Sequence, residues 1–245
     1  MAEYSHAFYT DRHQKTLCAA ETILSLLLER IPIVNSAVDV GCGVGTWLSV
    51  LVQRGTKDVL GLDGSWVDRN LLVVDELSFR EADLTLQLDV ERRFDLAISL
   101  EVAEHLPAQG AEAFVASLIA LSDFVLFSAG IPFQGGKSHV NEQWPDYWAA
   151  LFNTHDYVTL DFIRGQIWTD RGIPTWYKQN ILFFVKRNRL GEVRIALGEL
   201  CGPLLIVHPE LYLAKHSDMS SVRGSWTLFA SALKATLRRR LSRSA

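Results

Sequence analysis

Short apolar segments alternate along the chain with longer segments in which apolar residues recur every three or four positions. The first pattern predicts buried β-strands and the second predicts amphipathic helices. The strands are expected near Ala37, at Val59–Leu62, Phe94–Ser99, Phe124–Ser128, Tyr157–Arg164 and Gln179–Lys186, and the helices at Arg12–Arg30, Trp47–Arg54, Gln109–Leu121 and Pro145–Asn153. Strands separated by helices in this way favour an α/β fold with a doubly wound, mostly parallel sheet, whose ligands bind beyond the carboxyl ends of the strands.

A glycine loop follows the first strand in the sequence AVDVGCGVGTWL, with glycines at 41, 43 and 45. The dinucleotide fingerprint needs its third glycine one place later, where Thr46 stands. Glycine in such a loop permits positive φ and lets a cofactor approach the backbone closely. Asp63 ends the second strand about twenty positions later, where a carboxylate can accept hydrogen bonds from both hydroxyls of a ribose. This spacing predicts a nucleotide-containing cofactor other than a dinucleotide.

Composition indicates a globular protein with one α/β domain: 245 residues, 49% hydrophobic and 21% charged, with a formal net charge of −4. That charge argues against a protein that mainly binds nucleic acid backbone. The three cysteines, at 18, 42 and 201, form no C-x-x-C pair and favour a reducing, cytoplasmic location. We expect neither a secretion signal nor a membrane-spanning segment. The predicted organisation is an N-terminal helix and lid in 1–35, a cofactor-binding domain in 36–188 and a partly helical extension in 189–245.

The glycine loop, Asp63, the later Glu81-Ala82-Asp83-Leu84 and the strand Phe94–Ser99 resemble, in order and spacing, the class I S-adenosylmethionine (SAM) methyltransferases. This resemblance covers about Ala37 to Lys186 and implies a seven-stranded Rossmann-like sheet. It places Gly41, Gly43 and Gly45 against the amino-acid part of SAM, Asp63 on its ribose, and Asp83 with the Leu84 backbone at its adenine edge. Trp66 could cover the adenine, and Arg12 could reach the SAM carboxylate from the N-terminal lid. Each of these residues could instead serve only a turn, the core or a solvated surface.

A second motif, Glu101-Val102-Ala103-Glu104-His105, follows the strand that begins at Phe94. If Glu101 opens a helical turn, both carboxylates and the imidazole share one face. The motif is similar to that of small-RNA 2′-O-methyltransferases and quinone-biosynthesis O-methyltransferases, in which these residues bind a divalent ion. The resemblance implies Mg²⁺ or Mn²⁺ at Glu101, Glu104 and His105, with His139 from the loop after the fifth strand as fourth ligand. Metal-independent members also carry the motif, with Glu101 lining the SAM pocket, and that alternative stays open.

The implied activity is SAM-dependent O-methylation of a hydroxylated small molecule or glycan. A metal would chelate two neighbouring oxygens of the acceptor and lower the pKa of one of them. Without metal, His139 would act as general base, oriented by Glu142, which also suits an N- or C-methyltransferase. A non-catalytic SAM-binding module is the third alternative. The polar residues expected in the methyl pocket argue against it.

The C-terminal extension lies outside the resemblance. Ser225 is expected to cap a helix with one apolar stripe, consisting of Trp226, Phe229, Leu233, Leu237 and Leu241. The other face carries basic residues, namely Lys234, Arg238, Arg239, Arg240 and Arg243. Such a helix could pack against its own chain or a sister subunit in a homodimer, contact a membrane surface peripherally, or form a mobile tail.

Overall fold

The computed structural model describes residues 6–88, 90–196, 205–220, 222, 224–227, 229, 230 and 233, with side chains from Thr16 onward except those of 218 and 220. The chain forms two compact units, Met1–Ile206 and Val207–Ala245. The domain boundaries expected from the sequence stay predictions.

A seven-stranded sheet in the order β3-β2-β1-β4-β5-β7-β6 forms the centre of the first unit. Neighbouring strands from β3 to β5 pair in parallel, and β7 pairs antiparallel to both β5 and β6. The strands are β1 (Ser36–Val40), β2 (Asp58–Asp63), β3 (Phe79–Glu81), β4 (Leu96–Leu100), β5 (Phe124–Ser128), β6 (Tyr157–Leu160) and β7 (Leu182–Lys186). The predicted doubly wound, mostly parallel sheet of seven strands is confirmed.

The described ranges contain seven α-helices. They are α1 (His6–Leu28), α2 (Thr46–Gln53), α3 (Ala111–Leu121), α4 (Pro145–Thr154), α5 (Ile163–Ile167), α6 (Thr175–Asn180) and, in the second unit, α7 (Pro209–Ser220). Two apolar cores result, one joining α1, α2, α5 and α6 to the sheet and the other joining α3 and α4 to it. Because β1, β4 and β5 are buried along nearly their whole length, most of their residues are apolar in the sequence.

The predicted strand Tyr157–Arg164 is too long, since β6 ends at Leu160 and α5 follows. The buried Arg164 guanidinium pairs with Asp161, three residues earlier, and donates to the Gln179 carbonyl at 3.0 Å. Residues three apart meet on a helical turn and point to opposite faces of a strand, so this ion pair favours the helix. The hydrophobic pattern alone did not distinguish the two.

The predicted strand Gln179–Lys186 begins too early, because Gln179 and Asn180 form the last turn of α6 and β7 starts at Leu182. Both amide side chains are buried. As a result, α6 delivers Asn180 to the carboxyl edge of the sheet, where the loops after β1, β2, β4 and β5 also meet.

In the second unit, α7 is followed by further helical residues at 222, 224–227, 229, 230 and 233. The expected helix start at Ser225 is wrong, because Ser225 lies within this helical stretch and its hydroxyl donates to the Met219 carbonyl at 2.9 Å. Leu237, Leu241 and the basic residues after Leu233 lie outside the described residues. None of the described helices has the length and apolar character that crossing a membrane requires.

Candidate functional site

A cavity of about 320 Å³ opens at the carboxyl edge of the sheet, between the loops after β1, β2, β3 and β4. This volume lies within the range of small-molecule and cofactor sites. Most of the residues predicted to bind SAM line it, namely Gly41, Gly43, Asp63, Trp66, Asp83, Leu84 and Glu101. The sheet topology therefore brings together residues that are up to 60 positions apart in the chain.

The three loop glycines all have positive φ, but they have different surroundings. A Cβ on Gly41 would lie 2.2 Å from Val102 Cγ2, and one on Gly45 would lie 2.7 Å from Val74 Cγ2. A Cβ on Gly43 would meet no atom within 4 Å, and this glycine lines the cavity. Gly45 is not among the cavity-lining residues. It is the N-cap residue of α2 and has the left-handed conformation, and its expected contact with SAM stays a prediction.

Asp63 is held by the glycine loop itself. One carboxylate oxygen accepts from the Gly43 amide at 2.7 Å and the other accepts from the Gly64 amide at 2.7 Å. Burial raises the pKa of Asp63, and these two amides and the Trp66 side chain offset part of that rise. Each oxygen retains a further lone pair, so the carboxylate can still accept hydroxyl donors from the cavity.

Trp66 lies across Gly64, since a Cβ on that glycine would come within 2.1 Å of the indole ring. The side chain is 44% exposed and lines the cavity. Its position matches the adenine-covering role considered from the sequence, and core packing is wrong for it. Arg12 falls in the segment whose side chains lie outside the described residues.

Asp83 and Leu84 end the cavity on the β3 side. The Asp83 carboxylate accepts from the Thr85 hydroxyl at 2.6 Å and the Thr85 amide at 2.9 Å, and these hydrogen bonds lower its pKa. The Leu84 side chain is buried in the core. Asp83 thus fixes a local turn at the cavity, and Leu84 within this turn also lines the cavity.

Sequence reasoning missed Asp39, which lines the same cavity. Asp39 is 2% exposed, and its Oδ2 has no hydrogen-bond partner among the described residues. Burial, and then the nearby Asp63 carboxylate, raise its pKa well above the ordinary value. An acidic residue inside an otherwise apolar strand, two positions before the first loop glycine, was the available signal.

Glu101 directly follows β4 in a left-handed conformation, with φ of 56°. Its carboxylate accepts from Asn180 Nδ2 at 2.9 and 3.2 Å and from Gln134 Nε2 at 3.0 Å. Its amide donates to the Ser128 carbonyl at 3.0 Å. A non-glycine residue with positive φ is strained, and these hydrogen bonds from three other segments hold it in place.

The predicted helical turn starting at Glu101 is wrong, because the turn consists of Ala103–His105 only and is a 3₁₀ helix. Ligand atoms of Glu104, His105 and His139 nevertheless lie within 4.8 Å of one another. The two imidazole rings meet edge to face with centroids 4.8 Å apart. Glu101 is not in this group, so the structure assembles three of the four predicted metal ligands.

Glu104 is fully buried, and neither carboxylate oxygen makes a well-formed hydrogen bond with a described residue. Burial, followed by the Glu101 carboxylate, raises the pKa of Glu104 well above its ordinary value, and the Gly130 amide moderates the rise. A buried carboxylate normally has donors. This one faces two imidazoles and a second carboxylate.

His139 lies beside Glu142, the residue expected to orient its ring. The Glu142 carboxylate accepts from the Phe133 amide at 2.8 Å and the Gly135 amide at 2.6 Å, and lies 2.9 Å from His139 Nδ1. A proton on Nδ1 would let this atom donate to the carboxylate and would leave the lone pair of the neutral ring on Nε2. A Cβ on Gly136 would lie 2.1 Å from Nε2, so the close packing of the ring requires glycine there.

Comparison with known proteins identifies the family and the fold of this chain. Residues 10–163, more than half of the chain, match the family model described as "Methyltransferase domain". No curated protein sequence matches the chain.

Among solved structures, DesVI of Streptomyces venezuelae is similar with a TM-score of 0.54 and 15% identity, over 75% of this chain and 99% of that chain. Magnesium protoporphyrin IX methyltransferase (ChlM) from Synechocystis PCC 6803 with bound SAH is similar with a TM-score of 0.51 and 15% identity, over 76% of this chain and 90% of that one. An O-methyltransferase family protein from Burkholderia thailandensis has a TM-score of 0.54 and 11% identity, over 74% of this chain and 57% of that one.

At these identities the structural likeness shows the fold alone, which is the class I methyltransferase fold with its strand order. The family model covers the glycine loop, the cavity and the Glu104, His105 and His139 group. This chain therefore belongs to the Methyltransferase domain family and is a SAM-dependent methyltransferase.

Proposed function

We propose that the chain is an O-methyltransferase that binds a divalent cation, Mg²⁺ or Mn²⁺, at Glu104, His105 and His139. Its acceptor would be a hydroxylated small molecule or a sugar with two neighbouring oxygens. One observation carries this proposal: a fully buried carboxylate without a well-formed hydrogen bond faces two imidazoles. A cation is the simplest partner that would offset the cost of burying that charge.

The residues present fit such an ion. A carboxylate and two imidazoles are ordinary ligands for divalent metals, although mixed ligation does not select one metal uniquely. The Glu142 carboxylate beside His139 Nδ1 has the place of the outer partner that commonly orients a metal-bound histidine. Glu101 already accepts hydrogen bonds from Asn180 and Gln134, so the proposal assigns it to the cavity wall and not to the ion.

For the cofactor, we assign Asp63 to the ribose of SAM. We assign Gly43 to the position where SAM would lie close to the backbone. Asp63 is buried at the end of β2 with lone pairs available to the cavity, and Gly43 leaves open space where a side chain would stand. The Leu84 backbone and Trp66 would enclose the adenine. Asp39, which lines the same cavity and has a carboxylate oxygen without a hydrogen-bond partner among the described residues, would accept from the amino group of SAM.

For the acceptor, a bound divalent cation would supply Lewis acidity that lowers the pKa of a coordinated hydroxyl. The side chains of the protein would orient the groups of the site. Glu142 fixes the His139 ring, and His105 both belongs to the group and lines the cavity. Transfer from the SAM sulfonium is an in-line displacement, so positioning the acceptor oxygen beside the cavity is the main task of the protein.

A second candidate rests on the His139–Glu142 pair. With Nδ1 held by Glu142, Nε2 of His139 can take a proton directly, as a metal-independent O-, N- or C-methyltransferase requires. This alternative gives the buried Glu104 carboxylate no cationic partner, which is why the metal proposal is preferred.

Calorimetric titration of Mn²⁺ into chelator-treated protein tests the proposal, together with methyl transfer from labelled SAM to catechol as a probe diol. We expect Mn²⁺ binding in the wild type and its loss in Glu104→Gln and His139→Ala, with SAM affinity retained in both variants. Exposed Glu112→Gln on α3 is the matched control and should bind Mn²⁺ normally. Full turnover in chelator combined with an inactive His139→Ala would overturn the metal proposal and support the general base.

A further inference from the structure

The second unit carries an exposed apolar stripe that the methyltransferase site does not use. Its residues are Met219, Val222, Trp226, Phe229 and Leu233, with exposed fractions of 55%, 90%, 71%, 59% and 50%. They are spaced three and four residues apart within a helical stretch, which places them on one side of the helix. Large side chains exposed together in this way mark an interaction surface.

The charge of the same segment indicates the kind of partner. Residues 219–245 contain six basic residues and no acidic residue, although the whole chain has a formal net charge of −4. Cationic side chains beside an apolar stripe are typical of helices that lie in the interface of an anionic bilayer. Tryptophan and phenylalanine suit that depth, because an aromatic ring can remain at the level of the headgroups.

A second copy of this chain is the alternative partner for the apolar stripe. Paired helices generally place opposite charges beside the seam, and this segment offers only positive ones. Two copies side by side would therefore repel.

We infer that the apolar stripe of Met219, Val222, Trp226, Phe229 and Leu233 docks on a membrane surface rich in anionic lipids. The apolar stripe enters the headgroup region, and the basic residues of 223–243 contact lipid phosphates and carboxylates. The methyltransferase unit is thereby brought to a bilayer. This inference is independent of the proposed metal and of the acceptor.

Sedimentation of the full chain with vesicles tests it, using phosphatidylcholine alone and phosphatidylcholine with about a third of phosphatidylglycerol. We expect binding to the anionic vesicles only, and release at about 1 M salt, where screening is nearly complete. The double variant Trp226→Ser, Phe229→Ser should bind at least about tenfold more weakly. Leu77→Ser is the matched control, because Leu77 is a 93% exposed apolar residue in the other unit, and it should bind like the wild type.

Unchanged thermal unfolding and SAM affinity in the double variant would show that the methyltransferase unit is intact. Three results would overturn the inference: no vesicle binding by the wild type, equal binding to neutral vesicles, or full binding by the double variant. A lipid-free dimer that Trp226→Ser dissociates would also overturn it and assign the stripe to a second copy of the chain.

Discussion

Replacing Glu104 with glutamine removes one buried negative charge while nearly preserving the shape of the side chain. Glu104 is fully buried, has no well-formed hydrogen bond to its carboxylate from the described residues, and lies near the Glu101 carboxylate. Its pKa is therefore raised well above the ordinary value in the folded protein. In the unfolded chain it returns to about 4.3.

The sign of the pH effect follows from this difference. Below the pKa of Glu104 in the unfolded chain, Glu104 is protonated in both states, and its ionisation does not change the free energy of unfolding. As the pH rises toward the raised folded pKa, the unfolded state releases its proton first, so the metal-free wild type loses stability. The loss is at most about 1.4 kcal/mol per pH unit. For a chain of this size that corresponds to about 3–5 °C in Tm per unit.

The glutamine variant has no proton to release at this position. Its Tm advantage over the metal-free wild type should therefore be near zero below pH 4.3 or so and should increase upward from there. Thermal unfolding of chelator-treated proteins across this range measures it. Asp39 and Asp63, whose pKa values are also raised, are present in both proteins and cancel in the difference.

Two comparisons sharpen the assay. Glu112→Gln, at an exposed position of α3, should show no pH-dependent difference from the wild type. Added Mn²⁺ should stabilise the wild type, by about 2.7 kcal/mol at a hundredfold excess over Kd, and should not stabilise Glu104→Gln. A Tm difference between Glu104→Gln and wild type that does not change with pH would refute the reasoning, because it would show that the Glu104 charge is compensated within the folded protein.

Other substitutions test the residues assigned to SAM binding and the residues that hold His139 and Glu101 in place. Asp63→Asn should weaken SAM binding by about 1–3 kcal/mol in calorimetry, and unchanged affinity would remove Asp63 from the cofactor site. Gly43→Val should cost about 1–2 kcal/mol in stability through its positive φ and should abolish SAM binding by filling the cavity; retained binding would contradict that placement. Glu142→Gln should lower Mn²⁺ affinity about 10–100-fold with SAM affinity unchanged, and an equal Mn²⁺ affinity would separate Glu142 from the site. Asn180→Ala should lower the free energy of unfolding by about 1–3 kcal/mol, since Glu101 loses its Asn180 donor, and an unchanged Tm would show that Gln134 suffices.

Local sequence determined the order of strands and helices and the identity of the cofactor loop. Strand β5 has the predicted bounds, Phe124–Ser128, because a strand buried on both faces is a nearly continuous apolar run in the sequence. The sequence placed Gly43 and Asp63 at the ends of successive strands, and the parallel pairing of β1 with β2 brings them into hydrogen-bond contact. Where local pattern was ambiguous, as at Tyr157–Arg164, the element type was wrong.

Tertiary structure alone decided which polar groups have partners. Asn180 donates to Glu101 across 79 positions, and Gln134 donates across 33, so Glu101 is satisfied. Glu104, three residues later in the same motif, is buried without such donors. Both carboxylates belong to the same five-residue motif, and the neighbouring sequence does not show which of them has hydrogen-bond donors. Burial and hydrogen-bond partners depend on chain segments that become neighbours only when the sheet and its loops have packed. These determine that Glu101 lines the cavity with side-chain amide donors and that Glu104 is buried without them.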